Sequence, residues 1–205
     1  MRRCLPFLMG LIATLLATQA LAQTPVEVKL IAAIEENRGW CLDVRGPPGR
    51  TAPIGGLRSE TCKTYTNTWP TEDQAFDKEN ISQNNEFRMI EYPDKCITLY
   101  EPVAGSFVSL ETCDGRSAQS MTFDDAGHII SDVMPELCMT IGDRVLPGGG
   151  GRPLHIMRDV TFEKCDTKID IRQTWELRAE WAGPQQTTAE RPFTENPNAG
   201  SPKSQ

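Results

Sequence analysis

The chain has 205 residues, of which 28 are acidic and 21 are basic, so its formal net charge is −7. An acidic surface repels phosphate, which disfavours nucleic acids and anionic lipid headgroups as partners. Seven cysteines in a chain of this size make disulfide bonding the first structural question.

The first 22 residues predict export. Arg2 and Arg3 precede an apolar run that ends on the small-x-small pattern of residues 20–22, which signal peptidases recognise. The run is short for a spanning helix, so we expect a signal peptide over 1–22, cleavage after Ala22, and a secreted or periplasmic product. Without Arg2 and Arg3, 19 basic residues stand against 28 acidic ones, a charge of −9. No second long apolar segment follows, so no membrane insertion is expected.

Six cysteines follow the predicted signal peptide, and an even number in an exported chain predicts disulfides. No two of them have the CxxC spacing of a zinc or redox site, so we expect no metal and no cofactor. Many pairings are open, but joining neighbours in order would close three loops of similar size. The six are Cys41, Cys62, Cys96, Cys113, Cys138 and Cys165.

A three-letter phrase follows each ordered cysteine pair: a glutamine stands two places before a large apolar residue, at 74–76, 119–121 and 173–175. The glutamines lie 45 and 54 residues apart, which predicts a threefold repeat with loop insertions. We expect each glutamine to satisfy nearby backbone groups or to face a pocket. The apolar members should point into a shared core; they are Phe76, Met121 and Trp175.

The local patterns favour strands. In WELRAEW, 175–181, apolar and charged residues alternate strictly, as in a strand with one buried face. Glycine and proline clusters separate the segments, and no amphipathic helix of convincing length appears. A unit of about 45 residues with a few short strands cannot enclose a core alone. The sequence therefore predicts an all-β domain in which three copies close around a common axis.

CLDV at 41–44, a second cysteine after a short apolar strand, and a QxW-like phrase, repeated three times over roughly 26–181, resemble the ricin-type (R-type) lectin family. The resemblance implies a β-trefoil of twelve short strands, one disulfide within each repeat, and up to three sugar pockets. It places the trefoil domain at 23–181. The segment 182–205 is rich in proline and polar residues, so we expect a disordered tail.

In that family, an aspartate two residues after the first cysteine accepts hydrogen bonds from sugar hydroxyls. The first repeat keeps it as Asp43, whereas the others have Thr98 and Thr140, whose neutral hydroxyls cannot replace a bidentate carboxylate. Only the first repeat therefore predicts a working pocket. Gln74 and Asp73 stand where the family places its amide-bearing residues.

The stacking aromatic of the family, two residues before the second cysteine, is replaced here by Glu60, and Arg58 stands at another contact position. Tyr65 and Trp69, in the loop that follows, are alternative sources of a ring. The expected function is a secreted, non-catalytic, carbohydrate-binding protein with a glycan as partner. The alternative is a solvent-exposed ion pair between Asp43 and Arg58 across a degenerate pocket, in a trefoil that binds a protein outside the cytoplasm or serves as a toxin-associated subunit.

Overall fold

The structure, a computed structural model, describes residues 23–45, 56–63 and 73–178. The signal peptide 1–22, the tail 182–205 and the rings of Tyr65 and Trp69 lie outside the described residues and stay predictions. Within the described ranges, no helix combines the length and the apolar character needed to cross a membrane.

Twelve strands, one short α-helix and two single-turn 3-10 helices (Ser117–Gln119 and Asp170–Arg172) make up the regular structure of the described residues, which agrees with the predicted all-β class. The strands and the α-helix are β1 (Pro25–Leu30), β2 (Trp40–Val44), β3 (Leu57–Thr61), β4 (Phe76–Asp77), α1 (Lys78–Asn84), β5 (Lys95–Leu99), β6 (Ser106–Thr112), β7 (Met121–Phe123), β8 (Ile129–Ser131), β9 (Leu137–Ile141), β10 (Leu146–Pro147), β11 (Ile156–Lys164) and β12 (Trp175–Arg178).

Each repeat contributes one antiparallel hairpin, formed by β2 with β3, β5 with β6, and β9 with β11. Strand β11 is the longest, and it also pairs with β3 of the first repeat and β6 of the second. The first and last strands of the described chain, β1 and β12, pair with each other. Three such hairpins around a closed set of shorter strands are the β-trefoil that the resemblance implies.

One hydrophobic cluster forms the core that the three repeats share. The apolar residues of the repeated phrase, Phe76, Met121 and Trp175, are at most 1% exposed, as the pattern predicts. The indole Nε1 of Trp175 donates to the carbonyl oxygen of Met139 at 3.0 Å, so the ring is satisfied as well as buried. The phrase therefore marks the point where each repeat reaches the common core.

The disulfides join Cys41 to Cys62, Cys96 to Cys113 and Cys138 to Cys165. The prediction of one bridge within each repeat is confirmed. In the first repeat, Trp40 pairs with Thr61, so Cys62 follows the last paired residue and its bridge closes the open end of the hairpin. Through loop entropy, each bridge contributes about 3 kcal/mol.

Helix α1 is the element that the sequence pattern did not predict. The side chain of Asp77 caps its N-terminus by accepting from the backbone N–H of Glu79 at 3.0 Å. Asn85 ends it in the left-handed conformation, with φ of 54°, which asparagine tolerates better than most residues. Ile81 is its only buried residue, so two turns carry too few apolar positions to show a helical period.

Candidate functional site

The three repeated glutamines have the same role in each repeat. The Nε2 of Gln74 donates to the Thr61 carbonyl at 3.2 Å, and its Oε1 accepts from the backbone N–H of Lys63 at 3.0 Å. Gln119 and Gln173 make the equivalent bonds to the residues flanking Cys113 and Cys165. Each glutamine thus spans the disulfide at the open end of its hairpin, and the expectation that it satisfies backbone groups is confirmed.

The same amides also hold the residue two places after each first cysteine. Gln74 Nε2 donates to Asp43 Oδ2 at 2.9 Å, Gln119 Nε2 to Thr98 Oγ1 at 3.3 Å, and Gln173 Nε2 to Thr140 Oγ1 at 2.8 Å. In the second and third repeats the threonine hydroxyl donates onward to the preceding cysteine carbonyl. A carboxylate has no proton to donate, so Asp43 must take its remaining partners from elsewhere.

Two cations complete the surroundings of Asp43. Lys63 Nζ lies 3.0 Å from Asp43 Oδ2 and also contacts Asp73, and Arg58 Nε lies 3.4 Å from Asp43 Oδ1. Arg58 also contacts Glu60. The side chain of Asp43 is 0% exposed, whereas those of Arg58 and Lys63 are 15% and 16% exposed. We call Asp43, Arg58, Glu60, Lys63, Asp73 and Gln74 the first-repeat cluster.

Burial raises the pKa of Asp43 to about 7. Lys63 and Arg58 favour its ionised form, while Glu60 and Asp73 oppose it. For Lys63, burial lowers the pKa, but the neighbouring Asp43 and Asp73 carboxylates outweigh burial and the pKa is raised. The cation is therefore held in its charged form beside a carboxyl group that titrates near neutral pH.

An insertion of the third repeat packs against this cluster. His155 Nδ1 lies 3.5 Å from Glu60 Oε1, and Arg58 Nη1 lies 3.0 Å from the Met157 sulfur. A Cβ on Gly148 would lie 2.8 Å from the His155 carbonyl oxygen and 3.1 Å from Glu60 Oε1. The insertion between β9 and β11 therefore brings backbone and His155 up to the first repeat.

The five residues predicted to line the sugar pocket thus lie together. Asp43 and Arg58 are paired, as the alternative interpretation expected, but the pair is not solvent-exposed, because the Asp43 side chain is fully buried. Their role in sugar binding stays a prediction. Sequence reasoning missed Lys63 and His155. Lys63 directly follows a second cysteine, in the place where the other repeats have Asp114 and Asp166, and that difference in charge was a usable signal. No sequence signal marked His155, because its approach to Glu60 depends on packing between repeats.

A separate groove of about 700 Å³ lies on the third repeat. It includes Thr140 and Thr161, which face each other across β9 and β11, and Ala104 from the tip of the second hairpin. Charged residues surround these hydroxyls; they are Asp143, Arg144, Asp159, Glu163, Lys164, Asp166 and Arg172. Gly142, Ile141 and Ile169 complete the lining. This groove was not predicted, because the second and third repeats have threonine in place of the aspartate of the family's sugar pocket.

His128 forms a second polar cluster. Its Nδ1 lies 3.1 Å from Asp124 Oδ2 and its Nε2 lies 2.8 Å from Asp170 Oδ1. Burial lowers the pKa of His128, but the two carboxylates outweigh burial and raise it overall. The ring therefore ties the β7–β8 turn to the segment before β12.

Comparison with solved structures identifies the fold as a β-trefoil. Agglutinin from Abrus precatorius matches with a TM-score of 0.55 and 18% identity over 78% of this chain. The lectin domain of Vibrio vulnificus hemolysin/cytolysin, with N-acetyl-D-lactosamine bound, matches with 0.51, 18% identity, 78% of this chain and 96% of its own. The C-half of an earthworm R-type lectin, in complex with GalNAc, matches with 0.52, 15% identity, 77% of this chain and 99% of its own.

This chain spans 50% of the agglutinin's length and nearly all of the other two domains. No protein-family model matches the sequence, and no curated protein matches it. At these identities, the similarity establishes the β-trefoil fold alone.

Proposed function

We propose that the protein is a non-catalytic, carbohydrate-binding β-trefoil that acts outside the cytoplasm. The fold supports this proposal, because proteins of the same fold are lectins, and two of them hold N-acetyl-D-lactosamine and GalNAc.

Export is supported by three disulfides, which persist in oxidising compartments, and by the leader-like residues 1–22. Edman sequencing of the exported protein should begin at Gln23; an uncleaved N-terminus would contradict the proposed signal peptide.

In the first repeat, we assign Asp43 as the hydroxyl acceptor, Gln74 and Asp73 as accessory polar groups, and Arg58 and Glu60 as lining residues. The observation that carries this assignment is the concentration of carboxylate, amide and cationic groups on one face of the first hairpin. Hydroxyls of a sugar can bond to each of these groups. A hydroxyl that reaches Asp43 must take the place of the Lys63 ammonium, so a weak site is expected.

The test is binding of the purified protein to a glycan array, followed by titration of the best glycan. Asp43→Asn should weaken binding at least about tenfold, since a neutral amide oxygen is a poorer acceptor than a carboxylate. The matched control is Asp125→Asn, which removes one exposed acid and should bind as the wild type does. Equal binding by both variants would contradict the assignment of Asp43.

A second candidate function is docking to another protein. It is favoured by the burial of Asp43 and by the two cations that occupy its carboxylate, since a closed ionic cluster offers a sugar few groups. Recovery of one defined partner in a pull-down, together with no signal on the glycan array, would favour this function. Glycan-array binding that depends on the first-repeat cluster or on the groove of the third repeat would favour the lectin function.

A further inference from the structure

Two exposed aromatic side chains stand at the end of the second hairpin. Phe107 is 62% exposed and Tyr100 is 66% exposed. Leu99 pairs with Val108 in the hairpin register, and the backbone N–H of Tyr100 bonds to the Phe107 carbonyl at 3.4 Å. Tyr100 and Phe107 therefore form the next pair of the hairpin, and residues opposite each other on antiparallel strands share one face of the sheet.

That face continues into the third repeat. Phe107 of β6 pairs with Thr161 of β11, and Thr161 pairs with Thr140 of β9. The alternating burial of β11 agrees, because Val160 and Phe162 are buried in the core while Thr161 lies between them on the other face. Tyr100, Phe107, Thr161 and Thr140 thus form one row across four neighbouring strand segments. At strand spacings of about 4.8 Å, the row is about 14 Å long.

We propose that this row is a composite carbohydrate site, in which Phe107 and Tyr100 of the second hairpin stack on sugar rings and the polar groove of the third repeat, lined by Thr161 and charged side chains, binds an adjoining sugar. The inference rests on the proposed carbohydrate-binding function and adds to the first-repeat cluster a second site, whose ligand class is a neutral oligosaccharide of at least two rings. Two residues before the second cysteine, where the family has its stacking aromatic, the three repeats hold Glu60, Glu111 and Glu163. The stacking ring of this site therefore comes from a neighbouring repeat.

The polar part of the groove suits a neutral polyol. Asp143 contacts Arg172, and Asp159 lies 2.5 Å from Arg45. Thr161 Oγ1 donates to Glu163 Oε1 at 2.9 Å, which leaves its lone pairs for the hydroxyl of a ligand. With these carboxylates already partnered and cations beside them, the groove offers donors and acceptors without a strong excess of either charge. A sugar has such groups on its edges and an apolar face that matches an aromatic ring.

An apolar peptide is the competing occupant, because Val103 at the same tip is 51% exposed. The observations favour the saccharide, since the apolar surface passes within one strand into hydroxyls and charged pairs. A peptide-binding hydrophobic patch would extend as apolar surface, whereas stacking aromatics beside polar groups match the two faces of a sugar.

The experiment compares four variants of the purified protein on an array of neutral mono- to tetrasaccharides, with titration of the best glycan. Phe107→Ala and Phe107→Leu should each weaken binding about tenfold, while Phe107→Tyr, which keeps the ring, should stay within about twofold of the wild type. Val133→Ala removes apolar surface from another exposed residue (38% exposed) and should have no effect. Because Phe107 is exposed, all variants should keep the wild-type circular dichroism and melting temperature.

A second readout is glycan length: the row predicts tighter binding of di- and trisaccharides than of their terminal monosaccharide, and this preference should disappear in Phe107→Ala. Wild-type binding that is lost in Asp43→Asn but unchanged in Phe107→Ala would overturn this inference and leave the proposed function in place. Absence of any glycan binding by the wild type would overturn both. Capture of a protein partner that requires Phe107, without glycan binding, would assign the row to protein docking and overturn the inference.

Discussion

Replacing each repeated glutamine with methionine in turn tests the structural role of the threefold phrase. Methionine fills a similar volume but makes no comparable hydrogen bond. In Gln119→Met, the Thr112 carbonyl and the Asp114 N–H lose partners at 2.8 and 3.0 Å, and Thr98 Oγ1 loses one at 3.3 Å. The Gly115 N–H shares the Oε1 acceptor at 3.3 Å, and this shared acceptor is counted once, so three bonds enter the estimate. Because Gln119 is 2% exposed, water does not readily replace the side chain.

At about 1 kcal/mol for each lost bond, Gln119→Met should lower the free energy of unfolding by about 3 kcal/mol. Gln173→Met should cost the same, since it removes three bonds of 2.8 to 2.9 Å. Gln74→Met should cost about 1 kcal/mol more, because one of its acceptors is the Asp43 carboxylate and bonds to ionised groups are stronger.

The assay is urea unfolding of the oxidised protein, followed by tryptophan fluorescence and circular dichroism. Gln83→Met is the matched control, because Gln83 is exposed on helix α1, and its unfolding free energy should match the wild type. A loss below about 1 kcal/mol in all three core variants would refute the argument, since it would mean that solvent or neighbouring groups satisfy the hairpin ends without the glutamine.

Three further outcomes are expected. Trp175→Ala should lower the free energy of unfolding by about 3 to 5 kcal/mol, and an unchanged melting temperature would exclude Trp175 from the core. Burial raises the pKa of Asp43 to about 7, so its contribution to stability is largest near pH 4 and falls as the pH rises toward 7. The difference in unfolding free energy between wild type and Asp43→Asn should therefore change with pH across that window. His128, whose pKa is raised, stabilises the fold below about pH 6.5 and loses this effect at higher pH. His128→Gln should therefore be more destabilising at pH 5 than at pH 9. An equal loss of unfolding free energy at both pH values would contradict the ion pairs with Asp124 and Asp170.

The parts of the fold that sequence predicted are those fixed by residues within one repeat. The disulfides, the inward apolar residues and the backbone role of the glutamines depend on spacings of fewer than about 30 residues, and all recur three times. Because the three copies show the same order of residues, most alternative pairings of the cysteines are excluded. A pattern with one copy, such as helix α1 with its single buried Ile81, carries too little information to be predicted in the same way.

The parts that sequence did not predict arise where different repeats meet. His155 approaches Glu60 because the insertion before β11 folds over the first hairpin, and Phe107 stands beside Thr161 because β6 pairs with β11. Neither proximity depends on a local spacing. The Asp43 carboxylate is covered by Arg58, Lys63 and Gln74, whereas its position in CLDV indicates only its place on the strand.

The first-repeat cluster also follows from one difference between repeats, and this can be tested. Glu60, Glu111 and Glu163 recur two places before the second cysteine. Among the described residues, only the first repeat places a buried aspartate beside this glutamate, and only there do a lysine and an arginine both contact the aspartate. Where threonine stands instead, its hydroxyl bonds to the glutamine and to the cysteine carbonyl. A threonine at this position therefore needs no neighbouring cation to satisfy its side chain.

Asp43→Thr should consequently transfer the arrangement of the other repeats to the first. Lys63 keeps Asp73 and Arg58 keeps Glu60, so two carboxylates remain for two cations, and Gln74 regains an acceptor. Asp43→Ala leaves the Gln74 amide without that acceptor, at a cost of about 1 to 3 kcal/mol. At pH 8, urea unfolding should therefore show Asp43→Thr to be more stable than Asp43→Ala by about that amount. Equal stability of the two variants would mean that the three hairpin ends are not equivalent, and that the cations, rather than the glutamine, determine the structure around Asp43.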